Sequence, residues 1–434
     1  MTVHPFRLHH QGAYRQSRLR KIVHQLVSSN RFAIAGVLLL GVVIPELLHP
    51  LFASEQAWAR PIAPLDPMLY ATAAALLLAH LMLRRTSPLP FVDAKIIILP
   101  VFTVAFATVM FLMSLMFRKL GFYHLATGFM AGIIWNTGLT VLRSRLGCPV
   151  LALVGIPEVT AEMQAARVIW LPWNQTRMPS GVHAIVYDSS RDYPPAWERF
   201  FARAVLRNIP VYDLDHVSEM MTGRVRLRSK PELVFGQLLP SLPYLRLKRI
   251  LDFSLALFLL PLVLVILACC CLLIRFESRG SPIFRQTRVG YQGRLFTCYK
   301  LRTMRNDVAG PLYTQERDPR ITRLGHLLRM SRLDELPQIF NVLFGDMSWI
   351  GPRPEALRLS RDYDRSIPFY CYRHSVRPGI SGWAAVHQGN VALADAVTVK
   401  LEYDFYYIKY FSIWLDFAII LMTIRTMVTG FGSR

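Results

Sequence analysis

"KRILDFSLALFLLPLVLVILACCCLLIRFESRG", residues 248–280, decides how the rest of the chain is arranged. The apolar run between Arg249 and Arg275 is long enough to cross about 30 Å of hydrocarbon. A crossing would carry the basic stretch 275–434 out of the cytosol and set basic residues at both ends of one helix. Pro261 stands near the middle of the run, where it removes a backbone hydrogen bond and crowds the preceding turn, so a kink is expected. A helix that dips in, breaks at Pro261 and returns to the same face satisfies the charges at both ends. A kinked crossing helix is the alternative, since prolines are tolerated in those.

Upstream, four apolar segments, roughly 32–49, 68–83, 96–117 and 122–142, read as four transmembrane helices. The basic N-terminus (1–30), the Arg84/Arg85/Lys95 loop and the Arg143/Arg145 exit are expected in the cytoplasm, with the 50–66 loop outside. From 146 to 236 the texture is that of a small α/β domain: "CPVLALVG", "HAIVYDSS" and "IPVYDL" read as strands of a parallel sheet, with helices such as "PAWERFFARAVLRN" between them. Only Gly155 follows the first strand, so the glycine-rich dinucleotide fingerprint is missing. An interaction or dimerisation module is expected there instead. Residues 237–247 read as a linker and 248–274 as the membrane helix, followed by a mostly helical domain over 275–434. Its last helix, "FSIWLDFAIILMTIRTMV" (411–428), gathers Ser412, Asp416, Thr423 and Thr426 on one stripe, as an amphipathic helix lying in the membrane interface would.

The chain of 434 residues is 53% hydrophobic and carries 50 Lys plus Arg against 28 Asp plus Glu, a formal charge of +22. That apolar content sets nucleic acid aside and leaves anionic lipid and phosphate-rich substrates as partners for the positive charge. The six cysteines show no zinc-site spacing.

In "RLDELPQIFNVLFGDMSWIGPRPE" (332–355), Asp334 and Glu335 stand at or just before a helix that follows Pro337. One carboxylate suffices to cap a helix, at about 0.3–1 kcal/mol. The second costs repulsion unless a divalent cation or arginines offset it, which suggests a metal-assisted phosphate site. Pro352 and Pro354 restrict the backbone around Arg353, and Arg285, Arg288, Lys300, Arg302, Arg320, Arg329 and Arg377 lie in turn-like or short-strand contexts nearby in sequence.

Together, "FRQTRVGYQGRLFTCYKLRTM", "DPRITRLGHLLR", "RLDELPQIFNVLFGDMSWIGPRPE" and "VRPGISGWAAVHQGN" resemble the successive motifs of the bacterial polyprenyl-phosphate sugar-1-phosphate transferases, the monotopic phosphoglycosyl transferases. The likeness covers about 248–434, and the N-terminal layout resembles the long forms that initiate exopolysaccharide or O-antigen synthesis. The resemblance implies an inner-membrane enzyme with a cytosolic catalytic domain. It would transfer hexose-1-phosphate from a UDP-sugar, UDP-glucose or UDP-galactose, to undecaprenyl phosphate. Asp334 is implied as nucleophile, Glu335 as a second catalytic residue that shares Mg²⁺ with Asp334 or acts instead as a proton acceptor or orienting group, and Arg353, Arg329, Arg302, Lys300, Arg320, Arg288 and Arg377 as phosphate or substrate ligands. It also favours the re-entrant reading, with Lys248 and Arg249 as the membrane anchor and Pro261 as the break, although Leu260 replaces the usual serine before that proline. A homodimer is the expectation for the α/β domain. A catalytically idle membrane scaffold is the competing reading, against which Asp334, Glu335 and Arg353 argue.

Overall fold

The computed structural model describes residues 26–27, 29–52, 67–86, 94–116, 122–146, 150–155, 167–172, 182–226, 240–305, 318, 320–388 and 394–429. The basic segment 1–25, most of the 50–66 loop and residues 227–239 lie outside the described residues. Two compact units result, residues 1–87 with 93–149, and 88–92 with 150–434.

The first unit holds the four expected apolar helices. The first comprises α1 (Asn30–Leu38), a π-helical turn (Leu39–Val43) and α2 (Ile44–Phe52); α3 (Pro67–Thr86), α4 (Ala94–Met116) and α5 (Phe122–Leu146) follow. All four are long and apolar enough to cross a membrane. Their few polar groups are spent on one another: His124 Nε2 lies 2.8 Å from Glu46 Oε2, Trp135 Nε1 donates to Ala33 O at 3.0 Å, and Arg143 Nε donates to Val27 O at 3.0 Å. Such pairing is what an environment without water demands.

In the second unit, β1 (Val150–Val154), β2 (Arg167–Leu171), β3 (Ala184–Tyr187) and β4 (Val211–Asp213) form a parallel sheet in the order β2-β1-β3-β4. Strands buried on both faces need cover on both. Trp197, Phe200 and Ala204 of α6 (Pro195–Leu206) close over Ala152, Val154 and Ile185, and Leu214 and Val217 of α7 (Leu214–Thr222) pack on Leu153 and Val186. Strand β2 escaped the sequence reading because it is a short edge strand whose Ile169 and Trp170 are exposed.

Helix α8 (Leu242–Glu277) begins inside the expected linker and runs without interruption through Pro261, so the expected break is not a gap in helical structure. Lys248, Asp252, Ala256, Val263, Leu267, Cys270 and Ile274 are its buried residues, at the i, i+3, i+4, i+7 spacing of one face. From Lys248 to Ile274 that stripe runs about 39 Å along the axis. It packs on Phe296, Leu328, Ile339, Val342 and Met347. Those partners come from a hairpin of β5 (Ile283–Val289) and β6 (Leu295–Leu301), from α9 (Arg323–Met330) and α10 (Gln338–Phe344), and, for Met347, from the turn that follows α10.

Strand β7 (Ser348–Ile350), helix α11 (Leu357–Ser366), strand β8 (Gly379–Ser381), α12 (Trp383–Gln388), α13 (Ala394–Lys409) and α14 (Ile413–Thr429) complete the unit. Their core is aromatic: Trp383, Tyr370, Phe405, Tyr406 and Tyr407 are at most 1% exposed. The polar stripe of α14 faces inward. Asp416 is buried, and Thr423 Oγ1 meets Ser381 Oγ at 2.7 Å.

Candidate active site

The carboxylate pair sits where three local conformations meet. Thr322 caps α9, its Oγ1 accepting from Gly325 N at 2.9 Å. Arg332 then adopts the left-handed conformation at φ 55°, which a non-glycine residue holds at a cost of about 1–2 kcal/mol, and reverses the chain into a 3₁₀ turn, Leu333–Glu335. Helix α10 follows at once. Buried Asn341 locks it to the hairpin, donating to Thr297 O at 2.7 Å and accepting from Tyr299 N at 3.2 Å. Gly345 closes the helix at φ 92°.

Glu335 is buried, and its Oε1 receives Arg353 Nη2 at 2.6 Å and Lys300 Nζ at 3.1 Å. Its Oε2 is buried with no hydrogen-bond partner among the described residues. Asp334 next door is half-buried. Among the described residues, no hydrogen bond or ion pair commits its carboxylate.

Charge divides unevenly between the two acids. Burial pushes Glu335 up, but Arg353 and Lys300 together outweigh it and hold the carboxyl well below the usual range. Burial also raises Asp334, and the charge of Glu335 adds to it, so that the opposing pull of Lys300, Arg353 and Arg329 leaves its pKa above the ordinary value. Burial lowers Lys300 despite the pull of Glu335 in the other direction.

The segment around Arg353 is held by backbone and side-chain hydrogen bonds as well as by its prolines. Pro352 O accepts from Gly379 N at 3.0 Å, Arg353 O from Arg373 Nη2 at 2.8 Å, Pro354 O from Arg288 Nη1, and Glu355 O from Val289 N at 3.3 Å, while Tyr407 Oη lies 3.1 Å from Ile350 O. Gly351 and Gly379 let the strands approach: a Cβ on Gly379 would sit 2.1 Å from Gly351 N. Behind this segment, half-buried Glu355 pairs with buried Lys400, and Arg373 Nη2 lies 2.8 Å from Asp404 Oδ2. Arg373, Lys400 and Asp404 carried no signal in the sequence, because each comes from a segment without a phosphate-site motif.

Of the expected ligands, Lys300 and Arg353 therefore reach Glu335, and Arg329 acts on Asp334 while Nε donates to Thr303 Oγ1 at 2.9 Å. Arg288 serves the Arg353 segment. Three others are committed elsewhere: Arg302 donates to Arg279 O and Ser278 O, at 2.9 and 2.7 Å, Arg320 forks onto its own Asp318, and Arg377 donates to Gly345 O at 3.0 Å and stacks over Tyr291. Arg285 is exposed. The expected membrane anchor is tied to protein. Arg249 caps the C-terminus of α10 through Val342 O and Leu343 O, at 2.5 and 2.8 Å, and Lys248 Nζ meets Asp416 Oδ2 at 2.6 Å. Lys248 and Arg249 thus fasten α8 to the helices beside it.

Residues 243–430 match the family described as bacterial sugar transferase. A UDP-glucose:undecaprenyl-phosphate glucose-1-phosphate transferase of Caulobacter vibrioides is 40% identical over 186 residues, 42% of this chain and 70% of that protein. The chain belongs to the bacterial sugar transferase family. A UDP-N-acetylgalactosamine-undecaprenyl-phosphate N-acetylgalactosaminephosphotransferase of Aeromonas hydrophila is 49% identical over 245 residues, 56% of this chain and 58% of the relative. The glucose-1-phosphate transferase of Escherichia coli K12 is 40% identical over 183 residues, 41% of this chain and 39% of its own length. The matched stretch thus spans about half the length of these two relatives.

Within the sugar transferase module, a divalent cation would find two donors: the uncommitted Asp334 carboxylate and the orphaned Oε2 of Glu335. Among the described residues no cluster of three or more His, Cys, Asp or Glu gathers. The arrangement therefore fits Mg²⁺, which is commonly held by one or two carboxylates with phosphate oxygens and water completing the shell.

Proposed function

We propose that the chain transfers a sugar phosphate from a UDP-sugar to undecaprenyl phosphate, releasing UMP and giving the diphosphate-linked sugar lipid that initiates polysaccharide assembly. One observation carries the proposal: a buried glutamate neutralised by Arg353 and Lys300 stands beside an aspartate whose carboxylate is uncommitted. An Oδ of Asp334 attacks the β-phosphorus of the donor. The bond from that phosphorus to the bridging oxygen breaks, and its electron pair leaves on UMP. The phosphosugar remains as an aspartyl phosphodiester, until an oxygen of undecaprenyl phosphate attacks the same phosphorus and frees the carboxylate. Asp334 and Glu335 would hold a Mg²⁺ ion, which would supply charge neutralisation at the phosphate oxygens. Arg353 and Lys300, fixed in advance, stabilise charge developing on the equatorial oxygens without reorganising.

The proposed location is the bacterial cytoplasmic membrane, with the second unit on the cytosolic side and α8 re-entrant. Both ends of α8 are tied to the same unit: Arg249 to α10 at one end, Glu277 Oε1 accepting from Leu324 N at 3.0 Å and Ser278 O from Arg302 at the other. A crossing helix would draw the polar protein packed along its face into hydrocarbon.

Full-length protein given Mg²⁺, undecaprenyl phosphate and UDP-glucose, UDP-galactose or UDP-N-acetylgalactosamine should release UMP from at least one donor. Asp334→Ala should abolish both UMP release and the covalent adduct seen with labelled donor; turnover that survives would remove Asp334 from the role. A thiol placed at exposed Arg285 (Arg285→Cys) should escape impermeant reagents added to intact cells, and labelling there would mean that α8 crosses.

A further inference from the structure

Helix α13 is held between the α/β module and the segment that carries Arg353. Lys400 and Asp404, one turn apart, face that segment: Lys400 Nζ donates to Glu355 Oε1, and Asp404 Oδ2 lies 2.8 Å from Arg373 Nη2. Arg373 Nη2 also donates to Arg353 O at 2.8 Å. Glu402 is about 200° round the helix from Lys400, and Lys409 lies seven residues beyond Glu402, so both share the opposite face. That face meets the α/β module. Glu402 O accepts from Val225 N at 3.0 Å, and its carboxylate lies 3.9 Å from Arg224. Lys409 Nζ donates to both oxygens of Glu219 on α7, at 2.9 and 2.8 Å, and Tyr410 Oη donates to the same carboxylate at 2.8 Å. Glu219 is only 6% exposed, so this is a desolvated contact rather than a surface pair. Trp383 Nε1, on α12, adds a bond to Gly223 O at 2.8 Å, just past the end of α7.

We infer that the α/β module braces the catalytic arginine: Arg373, held by Asp404, is a positioning residue for Arg353, and the Glu219–Lys409 pair fixes the helix on which that support stands. The absence of a nucleotide fingerprint in the module agrees with a mechanical role. The inference rests on the phosphosugar-transfer reading, in which Arg353 stabilises transition-state charge. A support for such a group acts on the rate of the bound complex more than on donor binding.

The experiment uses full-length protein in lipid nanodiscs and measures kcat and donor KM for UMP release. Lys409→Met and Glu219→Gln should each lower kcat about 10- to 100-fold, the loss that a displacement near 1 Å produces, with donor KM changed less than about twofold. Combining Lys409→Met with Arg373→Lys should cost little more than the worse single change, because both act through one contact path. Lys409→Arg, which keeps the pair, and the exchange Glu219→Lys with Lys409→Glu should restore kcat to within about threefold of the parent. If Lys409→Met fails to accumulate, the exchange carries the test alone. Unchanged kcat in both single variants, strictly multiplicative losses with Arg373→Lys, or a folded exchange variant as slow as Lys409→Met would each overturn the brace. A parent protein that releases no UMP from any donor would instead overturn the transfer reading.

Discussion

Replacing Glu335 with glutamine keeps the shape of the site and removes one charge from its centre. In the parent, Oε1 of Glu335 receives Arg353 at 2.6 Å and Lys300 at 3.1 Å. An amide oxygen can still accept both from the two cations, but each bond loses its ionised acceptor, which lowers it from the top towards the bottom of the range for bonds to charged groups, a loss of about 1–1.5 kcal/mol each. Two such losses amount to roughly 2–3 kcal/mol. If that support is expressed in the transition state, the rate should fall about 30- to 150-fold. The pH profile is the sharper readout. Asp334 must be ionised to attack, and its pKa is raised by burial and then by the charge of Glu335, so Glu335→Gln should move the acid limb to lower pH. Lys300 must be protonated, and Glu335 is the main influence opposing the downward push of burial, so the alkaline limb should also move to lower pH. The whole bell is expected to shift acidward while its height falls. UMP release from full-length protein, followed across pH 5–10 in roughly half-unit steps, measures both limbs. A bell that stays in place, or moves towards higher pH, would refute the assignment of charge within the cluster.

Two further outcomes follow from the surroundings of the site. Glu355 is half-buried, which raises its pKa, yet Lys400 and Arg373 hold it down to about 2; it therefore stabilises the fold above the ordinary carboxylate range, and that contribution, roughly 3 kcal/mol, is lost as pH falls from about 4.5 towards 2. Thermal unfolding measured between pH 6 and pH 3, the part of that range open to the assay, should show the decline, and Glu355→Gln should flatten it while lowering stability at pH 6. At Gly345, φ is 92° and a Cβ would stand 3.1 Å from Arg249 Nη2, so Gly345→Ala should cost about 1–3 kcal/mol in thermal unfolding and loosen the cap on α10; a fully stable variant would show that Arg249 does not depend on that approach.

The parts of this architecture that depend on neighbours in sequence were legible. Four apolar segments give four helices within a few residues of the expected limits, and short apolar runs give three of the four parallel strands. Asp334 and Glu335 stand in the turn ahead of α10, as the following proline suggests. The parts that depend on tertiary pairing were not. Lys300 and Arg353 reach Glu335 from 35 and 18 residues away; Arg353 is marked by its flanking prolines, but nothing local separates Lys300 from Arg302, whose guanidinium closes the loop after α8. Likewise Arg373, Lys400 and Asp404 look like ordinary charges until the fold brings them behind the Arg353 segment.

Helix α14 shows why amphipathicity alone misled about direction. A stripe of Ser412, Asp416, Thr423 and Thr426 reads as the water-facing side of an interfacial helix. Yet Asp416 Oδ2 accepts from Lys248 at 2.6 Å and Tyr244 at 2.5 Å, and Oδ1 accepts from Tyr407 Oη at 2.7 Å. The exposed side is aliphatic, with Ile413, Ile420, Ile424 and Met427 at 41–54% exposure. The buried side sets Asp416 among Leu415, Ala418 and Ile419, so the helix is apolar on both faces, with one polar stripe turned into the protein. An aliphatic outer face is what a helix seated against lipid would present. Asp416 has a definite duty within the protein, since one buried carboxylate ties the start of α8 through Lys248 to α13 through Tyr407. The start of α8 and the helix whose Lys400 and Asp404 stand behind the Arg353 segment then share one buried carboxylate.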